Sequence, residues 1–392
     1  MNSHFNYYCL FKNRVDVSCI FLHYFPITQS KKTVSHAFSY GGNIPQSILL
    51  TYFKNSEITF LGGTMMFKSR TPLIRDKKGE ILKNSITSLE SVRIGGVKQW
   101  VLIRGADKNN PLLLFIHGGP GSGQIGFIRK YEQELEKHFI VVNWDQRGAG
   151  KSGRNIDPST MNLAQFVEDT YELITHLLLR FGQKKLFLTG HSWGSILGVL
   201  TAQQYPESIH AYIGISQLVN IELNEQISYA YALERARAAN HQKAIVALSK
   251  IGPPPYPNFK SMMKQRKWLL KFSPMELSSD YLLRAILSST EYTLIDWFFF
   301  AKNVLLSNKL LWEEYLAVNL IEKVPALNVP IYLCEGCHDY QAPFELAEQY
   351  IEKLRAPLKE IFWFEHSGHS PHISESKRFS EVCLHIKYAH GT

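Results

Sequence analysis

The stretch Lys185-Leu186-Phe187-Leu188-Thr189-Gly190-His191-Ser192-Trp193-Gly194-Ser195 governs how the rest of the chain is read. Leu186 to Leu188 is a short apolar run of strand type. Ile196-Leu197-Gly198-Val199-Leu200-Thr201-Ala202 then continues as an apolar helix, which Pro206 closes. A strand running directly into a helix turns too tightly for side chains at its flanks. Gly190 and Gly194 therefore predict a sharp turn that pushes the Ser192 hydroxyl toward solvent, the geometry of a nucleophile elbow. The pattern G-x-S-x-G alone is weak, and the flanking strand and helix give it weight.

Two further apolar runs end in glycine-rich loops. Pro111-Leu112-Leu113-Leu114-Phe115-Ile116 empties into His117-Gly118-Gly119-Pro120-Gly121, which can form neither a helix nor a ladder. Such a loop can bring backbone N–H groups close to a ligand, so the amides of Gly119 and Trp193 are candidate donors to an oxyanion. No Gly-Lys-Ser/Thr follows, which argues against a phosphate cradle. Phe139-Ile140-Val141-Val142-Asn143-Trp144 ends in Asp145-Gln146-Arg147-Gly148-Ala149-Gly150-Lys151-Ser152. This loop reads as architecture supporting the site, with Arg147 and Asp145 as structural partners.

A serine hydroxyl is a poor nucleophile until a base removes its proton, and the base needs a third group to fix its ring. Behind an elbow of this kind the chain order is serine, acid, histidine. Val329-Pro330-Ile331-Tyr332-Leu333-Cys334 runs into Glu335-Gly336-Cys337-His338-Asp339, placing Asp339 just past a strand. Glu335 is the competing acid, but it lies nearer the strand interior and is less free to reach a neighbouring loop. Ile361-Phe362-Trp363-Phe364 is followed by a loop with three histidines, His366, His369 and His372. Gly368 allows an exposed, sharply turned backbone at His369, whereas His366 lies nearer the strand end and His372 enters the next helix.

HGGPG at 117–121, DQRGAGKS at 145–152, GHSWGS at 190–195, GCHDY at 336–340 and SGHS at 367–370 together resemble the α/β-hydrolase fold proteins of the proline iminopeptidase group. The resemblance spans about residues 66 to 388, and the pairing of HGGPG with DQRGxGxS is its specific part. It implies Ser192 as nucleophile, Asp339 as orienting acid, His369 as general base, and Gly119 and Trp193 as oxyanion donors. It also implies release of an N-terminal residue, often proline, from short peptides, with no metal or organic cofactor. Carboxylates in the family's cap hold the substrate's free amine; Glu222, Glu225 and Glu234 are the candidates here, the first two preferred. Two departures stand out: His191 occupies a position where iminopeptidases often have glycine, and no arginine-led motif follows Ile215-Ser216-Gln217.

The chain has 392 residues, 45% hydrophobic and 20% charged, enough for a large core and an inserted subdomain. Its formal net charge of +9 is spread out without a block of five Lys or Arg, so a nucleic-acid partner is not expected. Five scattered cysteines suit a reducing cytosol, and the lone Cys334-x-x-Cys337 lacks a second pair at zinc spacing. No run reaches the length of about 18 apolar residues needed to span a membrane. Lys12, Arg14 and Asp16 interrupt the aromatic N-terminus, which does not read as a signal peptide. Residues 1–64 fit nothing downstream and read as an extension, either disordered or no part of the native protein. One explanation is a start at Met65 or Met66, with Gly62-Gly63 the translated image of a ribosome-binding site.

From Ser88 to Leu102 the chain alternates around Gly95-Gly96 as a hairpin. Strand and helix then alternate to residue 217 and again from 326 to 392, the pattern of an α/β fold with a mostly parallel central sheet. Residues 65–217 and 326–392 are thus the two parts of one core, and 218–325 a helical lid inserted over the elbow. Helices are expected at Gln226–Ala239, Gln242–Ile251, Ser279–Ser288 and Leu310–Val318, broken by Gly252-Pro253-Pro254-Pro255-Tyr256-Pro257. Trp268, Phe272, Tyr292, Trp297, Phe298, Phe299 and Phe300 supply either the lid's own core or an apolar wall for a small substrate group. The expected function is a serine hydrolase working through an acyl-enzyme on a small peptide or amino-acyl amide with a free N-terminus. Rival readings are an esterase of small acyl esters and a ligand-binding protein on a retired hydrolase scaffold, which would not need all of these groups.

Overall fold

Apolar runs of five to seven residues are too short for helices and too unbroken for a sheet with one wet face, and they become buried strands. The computed structural model describes residues 69–154, 156–275 and 289–391. Among these, eight strands join one sheet: β1 (Ile86–Ile94), β2 (Val97–Gly105), β3 (Leu112–Ile116), β4 (Ile140–Asp145), β5 (Leu186–His191), β6 (Ile209–Ile215), β7 (Ile331–Gly336) and β8 (Lys359–Phe364). Their order is β1-β2-β4-β3-β5-β6-β7-β8. The expected hairpin is β1-β2, closed at Gly95 and Gly96, both at positive φ. β2 lies antiparallel to β4, and every pairing from β4 through β8 is parallel.

Side chains of a strand alternate between faces, so each strand feeds two cores. Leu112, Leu114 and Ile116 of β3 enter one cluster with Phe166, Leu173 and Leu177 of α1 (Leu163–Phe181) and Ile196, Leu197 and Val199 of α2 (Trp193–Gln204). Leu113 and Phe115 enter the other, with Phe379, Cys383 and Ile386 of the C-terminal helix Ser376–Ala389. The parallel strands are therefore covered on both sides, and their C-terminal ends carry the loops described below.

Between β6 and β7 the chain forms α3 (Ile221–Ala238), α4 (Gln242–Ile251), α5 (Phe259–Phe272) and α6 (Leu294–Leu316). α4 coincides with the expected segment. α3 starts earlier than expected, where the Asn220 side chain accepts from the Leu223 amide and caps it. The expected Leu310–Val318 falls on the tail of the longer α6 and overruns it by two residues, Ala317 being its C-cap; the start of α6 is a capping box of Thr293 and Asp296. α5 was not expected: its many lysines mask a stripe of buried Phe259, Met262, Gln265, Trp268 and Leu269 at helical spacing, capped by Asn258. The helix expected at Ser279–Ser288, and the readings made of residues 1–64 and of Met65 or Met66, lie outside the described residues.

Trp268 and Phe272 pack with Ala232, Ala236, Ala244 and Leu248 in the core of the inserted helices themselves. Phe298, by contrast, is 78% exposed. No helix among the described residues is long and apolar enough to cross a membrane.

Candidate active site

β5 ends at His191 and α2 begins at Trp193, which leaves Ser192 alone in the turn at φ 53° and ψ −119°. A positive φ is strained for a residue with a Cβ, and here packing enforces it. A Cβ on Gly190 would lie 2.3 Å from the Gly194 carbonyl oxygen, and one on Gly194 2.1 Å from that of Ile116. Both flanks of the turn therefore require glycine. Below it, the Ser192 carbonyl accepts from the Ser195 amide (2.8 Å) and from Ser195 Oγ (2.6 Å). Ser195 Oγ in turn accepts from the Leu218 amide at 3.0 Å and from Gln217 Nε2 at 3.1 Å, tying the elbow to the end of β6.

The three residues singled out as nucleophile, acid and base meet at this turn. His369 Nε2 lies 2.9 Å from Ser192 Oγ, and His369 Nδ1 lies 2.8 Å from Asp339 Oδ2. Asp339 also accepts from the amides of Gln341 (2.8 Å) and Ala342 (2.9 Å) through Oδ1. A carboxylate can only accept, so the His369 proton belongs on Nδ1 and Nε2 is free to accept from the serine. Burial pushes the Asp339 carboxyl up, but the His369 ring and the N–H donors outweigh it and hold it below its ordinary value.

The competing groups lie elsewhere. Glu335 is buried within β7, where Oε1 accepts from the Gln217 amide at 3.1 Å. Burial drives its pKa well above the ordinary carboxylate range. His366 sits at the turn near the end of β8, its amide donating to Glu375. His372 is buried in the short helix Pro371–Ser374.

The HGGPG loop backs onto the elbow. A Cβ on Gly118 would lie 3.2 Å from Ser192 Cβ, and Gly119 follows at φ 129°, a conformation that only glycine adopts readily. Gln146 fixes this loop. Its amide donates to His117 Nε2 (3.1 Å), its side-chain Nε2 donates to the His117 carbonyl (2.8 Å), and its Oε1 accepts from Trp193 Nε1 (3.1 Å). Burial pushes His117 down to about 4, so the ring is neutral; with Nε2 accepting, Nδ1 donates to the Gly118 carbonyl at 2.7 Å. Gln146 was within a motif read as architecture, but nothing in the residues distinguished it from its neighbours.

Arg147 and Asp145, expected as partners, belong to separate networks. Arg147 grips Asp169 of α1 through Nε and Nη2, both at 2.9 Å. Asp145 turns the other way, accepting from Tyr292 Oη (2.6 Å) and the Lys151 amide (2.9 Å), with burial raising it to about 7. The guanidinium meets a carboxylate brought in by a helix, which nearness in sequence could not reveal.

Of the three glutamates named for the substrate amine, Glu234 is exposed, and the two preferred ones differ in setting. Glu222 is exposed on the first turn of α3, accepting from Gln226. Glu225 is buried, with Oε1 paired to Arg266 of α5 and Oε2 unpaired among the described residues. The face of α3 that carries Glu225 docks on the loop just after Asp339: Asn224 Nδ2 donates to the Gln341 carbonyl (3.0 Å) and Ser228 Oγ to that of Tyr340 (2.7 Å).

Residues 111–251 match the family model described as the alpha/beta hydrolase fold. A protein of Bacillus subtilis (strain 168) named "Probable aminopeptidase YbaC" is 37% identical over 305 residues, 76% of this chain and 96% of that protein. The chain belongs to the α/β-hydrolase fold family. Within it this α/β hydrolase falls in the proline iminopeptidase group. A proline iminopeptidase of Clostridium botulinum (strain Hall) is 26% identical over 282 residues, 70% of this chain and 88% of that one. Among solved structures, a proline iminopeptidase-related protein from Thermus thermophilus shares the fold, with a TM-score of 0.55 at 20% identity, covering 78% of this α/β hydrolase and 98% of that chain.

Proposed function

We propose that this α/β hydrolase is a serine peptidase of aminopeptidase type, releasing N-terminal residues from small peptides or amino-acyl amides through an acyl-enzyme. The observation that carries the reading is the continuous chain from Ser192 Oγ through His369 to Asp339, at 2.9 and 2.8 Å, on a strained elbow. In this reading His369 Nε2 takes the proton as Ser192 Oγ attacks the carbonyl carbon. The imidazolium that forms is stabilised by the ionised Asp339. The Gly119 and Trp193 amides receive the tetrahedral anion; Trp193 heads α2, where the first N–H groups have no partner within the helix. His369 returns the proton to the leaving amine, and water then resolves the acyl-enzyme by the same route.

Two things support a peptide with a free amine over an ester. The relatives named above carry aminopeptidase names, and Glu225 keeps one buried oxygen unpaired close to the acid loop, where an ammonium would be a matching partner. Glu222, being exposed, would serve only at the rim. The free thiols Cys334, Cys337 and Cys383 suit a reducing cytoplasm.

The first test is Ser192→Ala, expected to abolish turnover and fluorophosphonate labelling while leaving the melting midpoint in place. Near-normal rates would reject the assignment. The second sets amino-acyl anilides against N-acetylated anilides and p-nitrophenyl esters. Preference for the free amine should fade in Glu225→Gln; if it persists while esters are turned over as well as amides, the esterase reading is the better one.

A further inference from the structure

His191 has no part in the chemistry above, yet its ring lies against the catalytic assembly. It closes β5, one residue before the nucleophile, and its Nε2 lies 2.7 Å from the main-chain carbonyl oxygen of His369. A carbonyl can only accept, so the His191 proton sits on Nε2 and is donated to that oxygen. Ser216 Oγ, in the turn after β6, donates to the same oxygen at 3.1 Å. Two strand ends thus hold one backbone atom of the loop that carries the base.

The ring is also confined on its faces. Its centroid lies 5.1 Å from that of His369 and 4.6 Å from that of His372, both rings tilted against it. Nδ1 faces Gly118, where an added Cβ would come within 3.1 Å. A half-buried ring bonded in this way keeps its proton on Nε2. Burial, with the neighbouring His369 acting in the same sense, pushes it down to about 3, so it stays neutral and remains a single-proton donor through the neutral range.

We infer that His191 is a positioning residue, which pins the main chain at His369 so that the imidazole bridges Ser192 and Asp339 without a search. The inference rests on the reading of Ser192, His369 and Asp339 as the reacting set. A general base acts only within hydrogen-bond reach of the proton it takes, and displacement by a fraction of an ångström at the loop is carried directly to Nε2. The bond involves no group that touches substrate, so its loss should fall on the chemical step.

The test uses the full chain, an amino-acyl anilide that the wild type turns over, and fluorophosphonate labelling. His191→Phe keeps an aromatic ring and removes the donor; it should lower kcat and the labelling rate by about tenfold while KM stays within about twofold. His191→Gln, whose Nε2 can reach the same oxygen, should restore most of both rates. Ser216→Ala removes the second donor, and with it a contact of the same hydroxyl with Asp339; it should lower kcat in the same direction, and an unchanged kcat there counts against the inference even if His191→Phe does not fold. Wild-type kcat in folded His191→Phe or in Ser216→Ala, or a His191→Gln no better than His191→Phe, would overturn the inference. Retained turnover in Ser192→Ala would instead indict the underlying reading of the site, so the two failures are separable.

Discussion

Ser192 is held at a positive φ because Gly190 and Gly194 let backbone press on backbone where any larger residue would stand in the way. Gly194→Ala should therefore cost more than an ordinary helix substitution. Its Cβ would meet the Ile116 carbonyl, an atom in a central strand that cannot yield, and activity should vanish together with several degrees of thermal midpoint. Asp339→Asn is the complementary case, nearly isosteric yet able to donate toward His369 and favour the wrong tautomer. It should lower kcat by about a thousandfold or more with a folded enzyme, as measured by steady-state kinetics beside circular dichroism. Ser192, Asp339 and His369 were legible because each sits at a strand end in a fixed chain order. Gln146, Ser195 and Ser216 were not, because the His117 loop that Gln146 holds, the Gln217 and Leu218 donors to Ser195 and the His369 carbonyl that Ser216 meets are remote in sequence.

α6 shows how an inserted helix bears on the site. Asn303 Nδ2 donates to the Gly150 carbonyl (3.1 Å), Ser307 Oγ to that of Gly148 (3.1 Å) and Asn308 Nδ2 to that of Pro120 (2.8 Å). One polar stripe thus holds both glycine-rich loops, and Gly121 lies so close to it that a Cβ would come within 2.9 Å of the helix backbone. Asn308→Ala should destabilise the fold by about 1–2 kcal/mol, read from the urea midpoint, and lower kcat more than it raises KM, because the loop carrying Gly119 loses a tether. The aromatic-rich sequence of α6 drew attention to a substrate wall, while its three polar residues do this clamping. The Thr293-to-Asp296 capping signal was present in the sequence and marks the true start of the helix. The polar contacts had no such signal, since their partners lie more than a hundred residues away.

Buried and half-buried titratable groups of opposite habit should shape stability against pH. His117 is pushed down to about 4, His191 to about 3 and His372 well below its ordinary 6.5, chiefly by burial. Between those values and 6.5 the unfolded chain binds protons that the native state refuses, so stability falls on acidification through this window. Asp339, held below its ordinary value of 3.8, adds to the loss at still lower pH. Glu132 is raised to about 8 and Asp145 to about 7, again chiefly by burial, and Glu335 lies well above 4.5. There the native state keeps protons that the unfolded chain has released, so these carboxyls lower stability as pH rises from their ordinary values toward the folded ones. The two groups offset each other over the range where both act, and the melting midpoint should be highest in mildly acid buffer and decline on either side. Glu132→Gln preserves an acceptor for Asn143 Nδ2, which now donates to Glu132 at 2.6 Å, and should lessen the loss of stability with rising pH from about 4.5 to about 8, flattening the alkaline limb. A midpoint unchanged in slope above pH 6 in that variant would count against the assignment.

The strand ends, the glycine turns and the order of serine, acid and histidine could all be read along the chain, because each is set by local sterics and by the period of apolar residues. The partners of Arg147, the hidden helix α5, the α6 clamp and the bond from His191 to the His369 backbone could not. They depend on which strand ends the sheet order β5-β6-β7-β8 brings side by side. Hydrogen bonds to main-chain carbonyls leave no mark on the residue that accepts them, since every residue carries that carbonyl, so only the folded arrangement selects which of them are used.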